Sequence, residues 1–240
     1  RLGVGPALEQ RLDAVRVPQM GGNDERCRTV LLLRLGVRPA LEQRLDAVRV
    51  PLLGRAAHAV EDFNIGFFEE PVPHENLDAM AYVRKSINIP VATGERLFTP
   101  FSFTQLLERG GADIVQPDMS HCGGMLSALK ISAIADSHYA AFTPHNPNGE
   151  VSHAAAVQMA ACVPNFFALE HFPPEPWRFD VCATNMPVND GWLEIPSEPG
   201  LGVSFNPEEA NKHPYEPVDL YNLHRPEMAL KIPKFIDRIR

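Results

Sequence analysis

The chain has 240 residues, of which 45% are hydrophobic and 22% charged, and this composition is that of a globular protein with one large or two small domains. Its formal net charge of −8 argues against nucleic-acid and anionic-membrane partners, which select a basic surface. No apolar run approaches the roughly 20 residues of a membrane span, no signal peptide is visible, and the four cysteines form no CxxC pair, so we expect a cytoplasmic protein.

Residues 1–53 form a segment unlike the rest of the chain. Arg1–Pro18 and Arg34–Pro51 are near-identical copies that differ at a single position, and their starts are 34 − 1 = 33 residues apart. Two copies are too few for a solenoid, which needs about three repeats, so a duplication or a faulty gene boundary is the better interpretation. The ALEQRLDAV stretch in each copy has a helical pattern. We assign no function to this segment and predict a separate domain at residues 54–240.

Beyond residue 53, short apolar runs alternate with amphipathic stretches. Apolar runs without strict alternation are typical of parallel strands buried on both faces. The predicted strands are Ile65–Glu69, Val91–Glu95, Ile114–Asp118, Ala141–His145 and Phe166–Glu170. The predicted helices between them are Asn76–Ile87, Phe101–Arg109, Met125–His138 and Val151–Cys162. This alternation predicts an α/β fold with a parallel sheet and right-handed crossovers.

An ionisable side chain lies at the C-terminal end of every predicted strand. These residues are Glu69, Glu95, Asp118, His145 and Glu170. Their intervals, 95 − 69 = 26, 118 − 95 = 23, 145 − 118 = 27 and 170 − 145 = 25, each match one strand–helix unit. The C-terminal strand ends form the active face of an α/β barrel, where neighbouring strands lie about 4.8 Å apart. One acid after a strand is often a helix cap, but five in register favour a common site.

These residue types suit removal of a proton next to a carboxylate. Glu69 and Glu95 are hard oxygen donors on neighbouring strands, as Mg²⁺ prefers. If Asp118 accepts the imidazole N–H of His145, it fixes the tautomer and makes the histidine a general base. Glu170, when protonated, would donate a hydrogen bond to the developing oxyanion. A divalent cation would stabilise the doubly charged enolate.

Five motifs, in this order, resemble the mandelate racemase and muconate lactonizing branch of the enolase superfamily. They are FFEEPVPHEN (Phe67–Asn76), ATGERL (Ala92–Leu97), DIVQPDMSHCGG (Asp113–Gly124), TPHNPNG (Thr143–Gly149) and PNFFALE (Pro164–Glu170). The likeness extends from about Leu53 to the C-terminus and is greatest to acid-sugar dehydratases. It implies the C-terminal part of a (β/α)7β TIM-type barrel.

The resemblance also implies a role for each matching residue. Glu69 and Glu95 would bind Mg²⁺. His145 would abstract the proton with Asp118 as its partner, and Glu170 would contact the substrate carboxylate or the enolate. The substrate would be a small sugar acid.

The chain departs from the family before residue 54. The family has an N-terminal capping domain and three earlier strand–helix units, for which about 50 residues leave no room. The family's third metal ligand is an aspartate, for which Asp46 is the candidate, although it lies close to Glu69 and inside the duplicated segment. Because missing strands would expose sheet edges, we expect aggregation or a homo-oligomer, and weak or no turnover.

Three functions remain open at this point. The first is a Mg²⁺-dependent dehydratase that converts an aldonate into a 2-keto-3-deoxy acid and water, with the group that assists the leaving hydroxyl unassigned. The second is a racemase or cycloisomerase of the same superfamily, which is less favoured because the second-strand lysine base of racemases has no counterpart. The third is a truncated pseudoenzyme that keeps the site face without completing it.

Overall fold

The computed structural model describes part of the chain in detail. The described residues are 16–20, 65–171, 176–184, 186–189, 191–197 and 199–214. The contacts divide the chain into two units, Arg1–Phe205 and Asn206–Arg240. Among the described residues, no helix combines the length and the hydrophobicity that a membrane span requires.

In the first unit strands and helices alternate in the predicted order from residue 65 to residue 170. The strands are β1 (Arg16–Met20), β2 (Phe68–Glu69), β3 (Val91–Thr93), β4 (Ile114–Val115), β5 (Ala141–Phe142), β6 (Leu169–Glu170), β7 (Cys182–Thr184), β8 (Val188–Asn189), β9 (Trp192–Glu194) and β10 (Val203–Phe205). The helices are α1 (Leu77–Ser86), α2 (Pro100–Glu108), α3 (Gly124–Ser137), α4 (Glu150–Cys162) and α5 (Trp177–Val181).

The second unit contains one described helix, α6 (Pro207–Ala210). Asn206 caps it, because its side-chain oxygen accepts hydrogen bonds from the backbone N–H groups of Glu208 and Glu209 at 3.0 and 3.2 Å. Such a cap satisfies two donors that have no partner inside the helix.

A parallel sheet in the order β2–β3–β4–β5 forms the centre of the first unit. β6 lies beside β5, since the N–H of Phe142 donates to the carbonyl of Asn165 at 2.8 Å and the N–H of Phe167 donates to the carbonyl of Phe142 at 3.0 Å. The five predicted strands are therefore consecutive and parallel, and the α/β prediction is confirmed. Their C-terminal ends share one edge.

β1 is a strand that the sequence did not predict. It pairs in parallel with β6, with Gln19 opposite Leu169, and antiparallel with β9, with Val17 opposite Leu193. The resulting sheet has the order β6–β1–β9–β8, and β7 and β10 form a separate antiparallel pair. The helical prediction for ALEQRLDAV lies outside the described residues.

Both faces of the parallel strands are buried, as continuous apolar runs predict. Phe68 belongs to the main core, which is filled by apolar side chains of strands and helices such as Met80, Phe103 and Ile131. Its neighbour Phe67 points to the opposite face, where it packs in a second cluster with Ala92 and Ile114. Burying a side chain of this size contributes about 1.5–3 kcal/mol, so the two clusters fix the directions of the strand ends.

Candidate functional site

The five predicted residues all lie at the common C-terminal edge of the parallel strands. Glu69 and Glu170 end their strands, and Glu95 follows β3 by two residues. Asp118 and His145 follow β4 and β5 by three residues and form a parallel bridge with each other. Their roles in catalysis and metal binding remain predictions, but the structure brings the residues together.

Asp118 and His145 form a buried dyad. The Nδ1 atom of His145 lies 2.8 Å from Oδ2 of Asp118, which is 0% exposed. The same Oδ2 accepts from Nδ2 of Asn148 at 2.7 Å, and Oδ1 accepts from the N–H of Ser120 at 2.7 Å. Burial opposes ionisation of Asp118, but these hydrogen bonds outweigh it and lower its pKa. The carboxylate is therefore held ionised beside the imidazole.

The second nitrogen of His145 faces the other carboxylates. Nε2 lies 3.3 Å from Oε2 of Glu95 and 3.9 Å from Oε2 of Glu170. Burial acts to lower the pKa of His145, but the Asp118 hydrogen bond and the charges of Glu170 and Glu95 raise it overall. Because Nδ1 is committed to Asp118, Nε2 is the atom available for proton transfer.

Glu170 is held in place by Asn146, the residue after His145. The N–H of Asn146 donates to Oε2 of Glu170 at 2.8 Å, and its Nδ2 donates to the backbone carbonyl of Glu170 at 2.9 Å. Asn146 Nδ2 also lies 2.8 Å from Nδ1 of His153, whose ring packs 4.6 Å from that of His171. Burial raises the pKa of Glu170 despite the Asn146 hydrogen bond. This favours the protonated form, which can donate a hydrogen bond.

Glu69 lies in a strongly negative environment. Its Oε1 accepts a hydrogen bond from Nε2 of the buried Gln116 at 2.5 Å. Burial, together with the charges of Glu170, Glu95 and Glu70, raises the pKa of Glu69 to about 6, although the Gln116 hydrogen bond opposes the change. A cation at this position would relieve the repulsion among the carboxylates.

The donor set of the edge fits a hard divalent cation. Glu69 and Glu95 offer carboxylate oxygens, and the pKa of Glu69 is raised first by burial and then by the neighbouring carboxylates, two effects that a bound cation would offset. Within the described ranges, no three His, Cys, Asp or Glu side chains are grouped as a metal site. The third predicted ligand, Asp46, lies outside the described residues. Two carboxylates with waters are compatible with Mg²⁺, which usually keeps several waters.

Sequence reasoning missed three polar residues of the site. Gln116 lies two residues before Asp118 in the predicted strand Ile114–Asp118, and the two-residue period of an extended chain would direct both side chains to one face, which was a usable signal. Asn146 and Asn148 flank Pro147 in the turn after His145. Nothing in their spacing separates them from ordinary turn residues, and only the three-dimensional contacts identify them.

Comparison with protein families gives a match over most of the chain. Residues 7–210 match the family described as Enolase C-terminal domain-like. The chain is 34% identical to a D-xylonate dehydratase of Haloferax volcanii, over 70% of this chain and 41% of that protein. It is 33% identical to a D-galactonate dehydratase of Variovorax paradoxus, over 68% of this chain and 45% of that protein.

A third relative and a solved structure extend the comparison. The chain is 38% identical to a D-galactarolactone cycloisomerase of Agrobacterium fabrum, over 60% of this chain and 40% of that protein. A solved mandelate racemase/muconate lactonizing enzyme from Burkholderia SAR-1 superposes with a TM-score of 0.68 at 37% identity, over 71% of this chain and 42% of that one. The chain thus spans less than half the length of these relatives.

Proposed function

The chain belongs to the family of enolase C-terminal domain-like proteins, and from that premise we propose that it is a magnesium-dependent dehydratase of a sugar acid. The observation that carries the proposal is the dyad: His145 is bonded to Asp118 through Nδ1 at 2.8 Å and directs Nε2 toward Glu95 and Glu170. This is the arrangement of a general base that works beside an anion-stabilising group.

His145 takes the proton from the carbon next to the substrate carboxylate. The proton moves to Nε2, and the ionised Asp118 stabilises the imidazolium that results. Because Asp118 has no exposed surface and accepts three hydrogen bonds, it keeps the ring in one orientation through the transfer. Loss of the hydroxyl group from the next carbon, as water after it takes up a proton, then leaves an enol, which tautomerises to the 2-keto-3-deoxy acid.

Glu170 contacts the carboxylate of the substrate as it becomes an enolate. A raised pKa favours its protonated form, so that it donates a hydrogen bond where negative charge develops. The N–H of Asn146 fixes the other side of this carboxyl group. A preorganised donor of this kind stabilises the enolate more than the substrate.

Glu69 and Glu95 would hold the Mg²⁺ ion, with Asp46 as the candidate third ligand. When bound, the ion supplies positive charge beside the substrate carboxylate. Gln116 positions Glu69 through its hydrogen bond, and Arg96, whose Nε lies 3.3 Å from Oε1 of Glu95, borders the same carboxylate.

The substrate class is inferred from the relatives. Those named as D-xylonate and D-galactonate dehydratases match 70% and 68% of this chain. An aldonate has the required hydrogen next to its carboxylate and a hydroxyl on the following carbon. Cycloisomerisation of a sugar-acid lactone is the second candidate, since the cycloisomerase relative is 38% identical over 60% of this chain.

The proposal is tested on the full chain in the presence of Mg²⁺, with two measurements on the same incubation. The chain is incubated in D₂O with D-xylonate, D-gluconate, D-galactonate and D-galactarolactone, and NMR follows both deuterium entry at the α-carbon and product formation. We expect slow α-exchange and slow formation of 2-keto-3-deoxy acid from at least one aldonate, with both lost in His145→Asn, because a general base contributes about 10²–10⁴-fold to the rate.

Each other outcome has a definite meaning. Exchange that persists in His145→Asn removes this histidine as the base. Product from the lactone alone would favour the cycloisomerase. Calorimetric Mg²⁺ binding without exchange of any substrate would overturn the dehydratase proposal and favour a pseudoenzyme.

A further inference from the structure

Glu70 has a backbone conformation that its residue type seldom adopts. Its φ is 44°, in the left-handed region, and it directly follows Glu69 at the end of β2. A non-glycine residue there costs on the order of 1 kcal/mol or more and persists only where surrounding contacts enforce it. The backbone N–H of Glu70 still donates to the carbonyl of Ala92 at 3.0 Å, so the change of direction occurs within the sheet.

The side chain of Glu70 crosses to the end of the neighbouring strand. Its Oε1 accepts a hydrogen bond from Oγ1 of Thr93 at 2.5 Å and another from the N–H of Gly94 at 3.0 Å. Thr93 is buried, with 1% of its surface exposed. Both donors therefore belong to the segment that leads from β3 to Glu95.

Gly94 fits this segment closely. Its φ is 133°, and a Cβ atom there would lie 2.6 Å from Cε1 of Phe103 and 3.1 Å from the backbone nitrogen of Gln116. The peptide before Glu95 is thus confined by Phe103 on one side and held by Glu70 on the other. The direction in which the Glu95 side chain leaves the backbone depends on that peptide.

We propose that Glu70 is a positioning residue that fixes the separation of the two metal-binding carboxylates. The hydrogen bonds of Glu70 connect the end of β2, where Glu69 lies, to the turn that carries Glu95. In this role Glu70 contacts neither the substrate nor the cation. The inference rests on the proposed function in that it assigns Mg²⁺ to Glu69 and Glu95. Ligands whose positions are set before the ion arrives bind it more tightly, and groups that orient ligands commonly contribute about 10–100-fold in affinity.

Three variants of the full chain separate this role from others by calorimetric titration with Mg²⁺. Glu70→Ala removes the acceptor, and Thr93→Val removes one donor with little change of shape. Both weaken Mg²⁺ binding by about tenfold or more. Glu70→Gln keeps an acceptor oxygen for both donors and binds within about threefold of the wild type. Glu75→Gln, at an acid with 72% side-chain exposure in the same loop, is the unchanged control.

The remaining outcomes overturn the inference in distinguishable ways. If Glu70→Gln binds Mg²⁺ as weakly as Glu70→Ala while Thr93→Val keeps the wild-type affinity, Glu70 is a ligand of the ion. If the thermal midpoints fall but every folded variant keeps wild-type affinity, Glu70 is only structural. If the wild type itself binds no Mg²⁺, the proposed metal site fails first. Hydrogen exchange of the Gly94 amide, faster in Glu70→Ala, verifies in each case that the bond was broken.

Discussion

Asp118 illustrates how single residues determine the surroundings of His145. It is a fully buried carboxylate whose charge is compensated by donors from three different residues, His145, Asn148 and Ser120. A buried charge that loses one such donor keeps its desolvation penalty. Residues that do not contact a substrate, such as Asn148 and Ser120, therefore contribute to the stability of the ionised carboxylate.

Asn148→Ala should lower both stability and proton transfer. Loss of the 2.7 Å bond to Asp118 leaves the shared oxygen with His145 alone, so we expect a destabilisation of about 1–3 kcal/mol and a several-fold slower α-exchange. Urea unfolding and deuterium exchange measure the two effects. Ser152→Ala, which removes an exposed bond to Ser120 nearby, is the control. A variant with wild-type values in both measurements would contradict the role of Asn148.

His153 should make the protein less stable in acid. Burial, with the charge of His171, lowers its pKa to about 4, whereas the unfolded chain has a value near 6.5. Below pH 6.5 His153 becomes protonated in the unfolded state, whereas in the folded state it stays neutral down to about pH 4. Stability that is complete above pH 6.5 is therefore lost on acidification, by on the order of 3 kcal/mol at pH 4.

The variant His153→Gln isolates that contribution. Because glutamine does not titrate, its unfolding free energy should fall less than that of the wild type between pH 7 and pH 4.5. At pH 8 both states of the wild type are neutral at this residue, so any difference there reports packing alone. Equal slopes for the two proteins would show that His153 already takes up its proton in the folded state.

The common position of the five strand-end residues was the most predictable part of the site. Glu69, Glu95, Asp118, His145 and Glu170 were identified by their regular intervals, because a parallel α/β repeat converts sequence spacing into a shared edge. The supporting residues Gln116, Asn146 and Asn148 were not identified. Their contacts join strands far apart in sequence, and a single asparagine in a turn carries no signal of what it will face.

At the scale of the elements, helix α2 begins at a cap that the sequence encodes directly. The side chain of Thr99 accepts a hydrogen bond from the N–H of Ser102 at 3.3 Å, and Pro100 occupies the first turn. Both features are standard at helix N-termini. The predicted helix started at Phe101, one residue after the observed start, which is the usual precision of such boundaries.

Thr99→Ala should destabilise the protein by about 1 kcal/mol, because the N–H of Ser102 loses its side-chain acceptor and keeps only the backbone carbonyl of Thr99 at 3.1 Å. Thr104→Ala in the same helix is the matched control. Its hydroxyl bonds the carbonyl of Pro100 at 3.0 Å within the helix, and removal of such a bond is nearly neutral. Thermal unfolding of the two variants side by side tests the prediction. A larger loss from Thr104→Ala would contradict it.

β1 was missed for a physical reason. Pro18 lies inside it, opposite Trp192 of β9. Proline has no N–H for a strand ladder, and its presence argues against a strand with neighbours on both sides. The long-range pairings with β6 and β9 overcome that local preference, and pairings of this kind cannot be read from a five-residue window.

At the scale of the whole molecule, β1 covers the edge of β6, the strand that ends in Glu170. Deletion of residues 1–53 should therefore expose that edge. We expect the amides of Leu169 and Leu193, both opposite β1, to exchange at least about tenfold faster and the protein to self-associate more strongly. Hydrogen exchange and light scattering measure these changes.

Deletion of residues 1–15 leaves β1 whole and serves as the comparison. Protection of Leu169 that is the same in both deletions would show that β1 is not required beside β6. The experiment also tests the predicted boundary after residue 53, because an independent domain at 54–240 remains folded when the preceding segment is removed.

The parallel order of the five strands could be predicted from the sequence, but the pairing of β1 with the edge of β6 could not. Strand order followed from short, right-handed connections between neighbours in sequence. The partner of β6 lies about 150 residues earlier in the chain (169 − 19 = 150), and no local pattern specifies a pairing over that separation.

Part of the β1 sequence occurs a second time in the chain. Its first three residues, Arg16–Pro18, belong to the segment Arg1–Pro18, which is repeated at Arg34–Pro51 with one difference. The chain therefore contains two nearly identical segments. Local sequence therefore cannot distinguish the strand beside β6 from its copy. The distinction rests on the residues C-terminal to each copy, Gln19 and Met20 in one and Leu52 and Leu53 in the other, and on the length of chain to be closed. We therefore expect a substitution at Arg16, Val17 or Pro18 to change which of the two copies pairs with β6, in addition to changing the stability of β1 itself.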